Sequence, residues 1–135
     1  MNLKSLLICP YTKQKLRKNN NSFVTEDGNY NYEINENGIP LFYIKNKSRD
    51  AQIQKEHYDN VAELYQKNLE YSHTKEYMSY LDKEFLKLFK KDKIEIMIEL
   101  CCGSGEAIKL LDKKYSYSIG IDISEKMLEF ASKKT

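Results

Sequence analysis

The side chains with chemical potential crowd into one short run of this sequence, Glu99-Leu100-Cys101-Cys102-Gly103-Ser104-Gly105. A carboxylate, two adjacent thiols and a Gly-x-Gly could serve metal binding, thiol redox chemistry, nucleophilic attack, or a turn that grips a small molecule. A structural metal site needs four ligands. Adjacent cysteines pair badly with each other because the ring they close is strained. No neighbouring His or Lys stands ready to lower a thiol pKa. The thiols of Cys101 and Cys102 therefore read as packing at a strand end, and the glycines carry the signal. His57 and His73 sit among helical residues without paired acids at ligand spacing, so they read as structural or surface residues.

The elements that must position this run are legible around it. Residues 94–100 form an apolar strand, residues 105–114 take helical spacing, and residues 117–122 form a second strand that ends in Asp122. Ser124 follows as the N-cap of another helix. The order β, α, β, α implies parallel strands joined by a right-handed crossover. Gly103 and Gly105 permit a sharp turn and a close ligand approach. Asp122 falls near the ~20-residue offset at which an acid meets ribose hydroxyls in nucleotide-binding βαβ units. A dinucleotide turn wants a small residue three positions after Gly105, where this chain has Ile108, and Glu106 in the first helical turn repels phosphate. A P-loop is excluded because no Gly-Lys-Ser/Thr follows. A ligand with a ribose and no phosphate fits better.

At these residues the chain resembles the class I S-adenosylmethionine-dependent methyltransferases. "IELCCGSG" is similar to their first motif, with Cys101 where the first motif glycine is usual, a double-cysteine variant that resembles quinone-biosynthesis methyltransferases. "GIDISEKMLEFA" is similar to their second element. The resemblance implies a Rossmann-like α/β fold that binds S-adenosyl-L-methionine. Glu99 would order the turn or the methionine end, Leu100, Cys101, Cys102, Gly103, Ser104 and Gly105 would wrap the cofactor, and Asp122 with Ile123 would meet the ribose. Upstream, "HYDNVAELYQ" is similar to a stretch in which an aromatic residue closes over the cofactor, which implies Tyr65 and Tyr58 as pocket residues. Packing of both tyrosines on the inner face of an amphipathic helix is the competing reading.

Before this βαβα region lie two amphipathic helical stretches. Ala51, Tyr58, Val61, Ala62, Tyr65 and Leu69 form one stripe, and Tyr77, Met78, Leu81, Phe85, Leu88 and Phe89 another. The Lys90-Lys91 pair suits the negative end of the second helix. Residues 47–135 are thus expected to be the N-terminal part of a methyltransferase domain. Two parallel strands leave edges and a face uncovered, so the sheet is expected to be incomplete and the chain to be part of a longer enzyme or a truncated, inactive product. No catalytic residue can be named from it. The alternative is a non-catalytic binding or regulatory module.

Residues 1–46 differ in composition, holding Pro10, Pro40, Gly28 and Gly38 among short alternating runs. They read as strand, Asp27-Gly28 turn, strand, Asn37-Gly38 turn, strand running to Ile44. A polar hinge follows at residues 45–50. "LLICPYTKQKL" with "YNYEINENGIPLF" resembles the small zinc-ribbon-like family that includes a methyltransferase activator subunit. Thr12 stands where zinc-binding members have a second cysteine, which implies a variant that holds no metal and, docked on the methyltransferase part, covers an apolar face or shapes the acceptor entrance.

The 22 basic and 20 acidic side chains leave no strong field to recruit nucleic acid or anionic lipid. The basic run at residues 12–18 reads as a solvated turn, with contact to RNA phosphates as its alternative. No apolar run approaches the roughly 18 residues of a membrane span, and the N-terminus lacks the pattern of a signal peptide. Three cysteines, two of them adjacent, make no disulfide framework. The expectation is a cytoplasmic enzyme whose acceptor is first a small molecule, with RNA or protein as alternatives.

Overall fold

The computed structural model describes residues 6–42, 48–90 and 93–134. Contacts divide the chain into Met1–Lys47 and Ser48–Thr135.

The first unit is a three-stranded antiparallel sheet, β1 (Arg17–Asn19), β2 (Ser22–Val24) and β3 (Asn31–Glu33), in the order β1-β2-β3. Its core gathers Cys9, Leu16, Phe23, Tyr32 and Ile34, with Leu7, Tyr30 and Phe42 packed against them. The basic run ends in β1 and is not wholly a turn. β1 is an edge strand whose residues are all exposed, and Lys and Arg belong on such an edge because they discourage further pairing. Asn20 (φ 49°) makes the bend into β2, a left-handed conformation that Asn tolerates. The expected third strand reduces to a bridge between Ile34 and Pro40, since proline brings no N–H to a ladder. Its continuation through Tyr43 and Ile44 lies outside the described residues, as does residue 91 of the lysine pair.

The second unit begins with α1 (Arg49–Leu69), capped by Ser48, whose hydroxyl accepts the Ala51 N–H at 3.2 Å. It continues with α2 (Ser72–Leu88), β4 (Ile94–Leu100), α3 (Glu106–Leu110), β5 (Tyr115–Ile121) and α4 (Glu125–Ser132). β4 and β5 pair in parallel, with Ile98 opposite Ile119 and Glu99 opposite Gly120. The expected helix over residues 105–114 shortens to five residues, because Lys114 N–H turns back to Leu111 O at 2.7 Å and Lys114 O accepts Ile94 N–H at 2.7 Å. That early pairing starts β5 at Tyr115, two residues before its expected start. α2 stops at Leu88, and Phe89 leaves the helix with ψ 83°. Lys87 is thus the basic residue of its last turn.

Both apolar stripes are borne out only in part: Ala51, Val61, Ala62 and Leu69 on the first and Met78 and Phe89 on the second are at least half-buried. Tyr58 and Tyr65 of α1 are 43% and 39% exposed, while Ala62 is buried. On α2, Tyr77, Leu81, Phe85 and Leu88 all remain exposed. Ile98 and Leu100 on β4 are likewise open, at 60% and 72%.

The packing of α3 on the sheet explains how Ile108 fits where a small residue was expected. A Cβ on Gly120 would lie 2.8 Å from Cys102 Sγ and 3.0 Å from Ile108 Cδ1. The missing volume has moved from the helix to the strand. Gly120→Ala should therefore overpack this contact and cost about 1–3 kcal/mol, read as a lower midpoint in urea unfolding. The double variant with Cys102→Ala should recover part of the loss; full additivity would show that the clash is elsewhere.

Candidate functional site

The two loops at the C-terminal ends of β4 and β5 meet, which is where ligands bind in open parallel sheets. β4 delivers Glu99 and Leu100 to the turn, and Cys102 N–H still pairs with Ile121 O at 3.0 Å. Between them Cys101 adopts φ 56°, a left-handed conformation, and Gly103 and Gly105 follow with φ 53° and 81°. Cys101 thus takes a backbone conformation usual for glycine while carrying a side chain. A Cβ on Gly103 would meet nothing within 4 Å, whereas one on Gly105 would lie 3.2 Å from Ala131 Cβ. Gly105 serves the packing of α4, and Gly103 leaves open space above the turn.

Asp122 joins the two loops. Its Oδ2 accepts the Gly103 N–H at 2.9 Å and its Oδ1 accepts the Ser124 N–H at 2.9 Å. Ser124 caps α4 as its position suggests, accepting Met127 N–H at 3.1 Å. Ile123, beside them, is exposed.

A polar cluster holds the far side of the turn. Ser104 is buried; its hydroxyl donates to Glu106 Oε1 and accepts from Gln66 Nε2 at 2.6 Å and Lys134 Nζ at 3.1 Å. Lys134 also pairs with Glu106 at 2.6 Å. Lys134 therefore offsets part of the Glu106 charge, which weakens the repulsion of phosphate that its position in the sequence suggested. With Ile108 accommodated by Gly120, the chain's own residues discriminate less sharply against a dinucleotide than their types imply.

Glu99 carries an unmet demand. Its Oε2 is buried with no hydrogen-bond partner among the described residues. Burial pushes its carboxyl above the usual range; a backbone hydrogen bond from Ile108 opposes this and the Glu106 charge adds to it. Cys102 is buried, and its thiol is pushed up to about 11, first by burial and then by Asp122 and Glu99. A thiol so protonated is no nucleophile. Among the described residues no group of three or more His, Cys, Asp or Glu could hold a metal ion.

Tyr65 is close enough to feel this cluster: burial and then the Glu106 charge raise its hydroxyl pKa. Tyr58 packs edge-on against His57 with ring centroids 5.3 Å apart. The structure thus brings residues 99–105 and Asp122 together; Tyr65 is exposed and precedes Gln66, which reaches Ser104, whereas Tyr58 packs on His57. Asp59 and Gln66 escaped sequence reading. Asp59 accepts from Ser124 Oγ at 2.6 Å and pairs with Lys55 at 2.6 Å. Burial works to raise the Asp59 carboxyl, but hydrogen bonds from Lys55, Ser124 and Lys126 outweigh it and hold it low. Their only signal was position: polar residues on either side of Ala62, the buried residue of α1.

The family model of a methyltransferase domain matches residues 98–135, from the end of β4 through α4. No curated protein matches the chain. The family match supports a methyltransferase in general terms. It spans both loops described above and leaves α1 and α2 outside.

The strain at Cys101 yields a direct test. A left-handed conformation costs an L-residue roughly 1–2 kcal/mol, and glycine gives back about 0.5–1 kcal/mol through its greater unfolded freedom. Cys101→Gly should therefore leave stability unchanged or raise it by up to about 1 kcal/mol. A lower melting temperature would mean that the Cys101 side chain makes contacts worth more than its backbone strain.

Proposed function

We propose that this chain carries the cofactor side of an S-adenosylmethionine-dependent methyltransferase. The observation that carries the reading is the buried, unpartnered Oε2 of Glu99 at the end of the strand that leads into the glycine turn, where a Cβ on Gly103 would meet nothing within 4 Å. An orphaned carboxylate oxygen calls for a cationic donor, which the amino group of an amino-acid ligand provides. The match to a methyltransferase domain over residues 98–135 supports the same assignment.

In this reading residues 100–105 bend the backbone around the ligand. Gly103 permits close approach, and Glu99 takes the ammonium end. Asp122 spends one lone pair of each oxygen on a backbone N–H, which leaves acceptor capacity on both for ribose hydroxyls. Ile123 and Tyr65 border the adenosine, and Tyr58 lies further out. The cofactor supplies a sulfonium-bound methyl group for transfer to a nucleophile on the acceptor. The chain contributes proximity and alignment rather than proton transfer. We take the acceptor to be a small molecule, because the net charge of +2 gives little attraction for RNA. Three free cysteines suit a cytoplasmic setting; among the described residues no helix is long and apolar enough to cross a membrane.

A second reading, a non-catalytic binding module, draws on the groove of about 400 Å³ whose apolar lining includes Met78, Leu81, Phe85 and Leu110, with Asp82, Glu84 and Glu106 also lining it. Such an open, largely apolar surface edged by carboxylates suits a protein contact.

Calorimetric titration with S-adenosylhomocysteine and with adenosine separates the two. The enzyme reading expects S-adenosylhomocysteine to bind and Glu99→Gln to weaken it about tenfold or more, while adenosine, which lacks the amino end, is unaffected. Because the free Glu99 carboxyl titrates above its ordinary range and binding favours its charged form, affinity should fall as pH drops through that raised pKa. Glu99→Gln should flatten this dependence. Absence of binding, or equal losses for both ligands, removes the assignment.

A further inference from the structure

Ser104 in the glycine turn and Ser124 after the acid are both fully buried, and α1 answers each of them. Gln66 Nε2 donates to Ser104 Oγ at 2.6 Å. Ser124 Oγ donates to Asp59 Oδ1 at 2.6 Å, and the Lys126 N–H reaches the same oxygen at 3.3 Å. Asp59, Ala62 and Gln66 share one face of α1, with Asp59 and Gln66 about two turns apart. Lys55, one turn before Asp59, pairs with its other oxygen at 2.6 Å and with Glu125 at 3.3 Å.

The restraint does not stop at Ser124. The Ser124 N–H donates to Asp122 Oδ1, and Asp122 Oδ2 accepts the Gly103 N–H, each at 2.9 Å. A continuous path therefore runs from α1 through Ser124 and Asp122 into the glycine turn. Ser124 Oγ already accepts Met127 N–H at 3.1 Å, so its proton needs an acceptor outside α4, and Asp59 is that acceptor. Removing the Asp59 carboxylate leaves a buried hydroxyl proton without a partner, at the residue whose amide orients Asp122.

We propose that Asp59 is a positioning residue: through Ser124 it fixes the Asp122 carboxylate, and with Gln66 it makes α1 a brace across both ligand-facing loops. Its consequence for binding rests on the reading of Asp122 as ribose acceptor, whereas the mechanical link rests on the hydrogen bonds alone.

Amide hydrogen exchange, followed by NMR on the full chain without ligand, tests the link. Asp59→Ala should speed exchange at Gly103 and Ser124 by about tenfold or more while the β4–β5 ladder keeps its protection. Asp59→Asn, which retains an oxygen acceptor, should restore both amides to within about threefold of wild type. Should Asp59→Ala fail to fold, Ser124→Ala removes the same hydroxyl, keeps the amide and should show the same selective acceleration. Exchange at Gly103 unchanged relative to the ladder overturns the proposal.

A ligand comparison separates this from the cofactor reading. Wild type should prefer S-adenosylhomocysteine over its 2′-deoxy analogue by about tenfold, and Asp59→Ala should shrink that ratio toward one. An unchanged ratio with uniformly weaker binding makes Asp59 merely structural and overturns its positioning role. If wild type binds neither ligand, the ribose reading fails, and the exchange data still decide the link.

Discussion

Two hydrogen bonds to one carboxylate organise the end of the second unit at which the β4 and β5 loops meet. Asp122 accepts one backbone N–H from the glycine turn and one from the start of α4. A buried N–H without a partner is costly, so the two loops cannot drift apart without exposing both groups. The positive φ values of Cys101, Gly103 and Gly105 are tolerable because this tether over-determines the turn between them. Strain of this kind persists where surrounding structure holds it.

The parallel pairing of β4 and β5 was legible because apolar runs, the glycine turn and the terminal acid all pointed to one supersecondary unit. The capping role of Ser124 was readable for the same reason: a short polar residue directly before a helical pattern has few other uses. What could not be read were exchanges of volume and charge between elements. Ile108 looked too large until Gly120 stood opposite it, and Glu106 looked repulsive until Lys134 stood paired with it. Each partner lies far enough along the chain that periodicity carries no trace of the pair.

The orientation of α1 showed only in part for a related reason. Of its apolar stripe Ala51, Val61, Ala62 and Leu69 do turn inward, but Tyr58 and Tyr65 are exposed, and Asp59 and Gln66 take the inward places on either side of Ala62. Buried serines reward polar neighbours, so hydrophobic spacing misjudges a helix that packs on hydrogen-bonding loops. The first unit erred the other way: polar, fully exposed residues such as Arg17 and Lys18 form a true edge strand, because pairing with β2 needs only their backbone.

The bond between Asp59 and Ser124 joins residues 65 apart in sequence. Closing so long a loop carries an entropic cost that must be met before the contact contributes anything. α1 can turn helical early from local bonds alone, but its hold on the loops waits until β5 has formed and α4 has begun. The loop end of this unit is therefore expected to assemble last in folding and to be among the first parts released when it loosens.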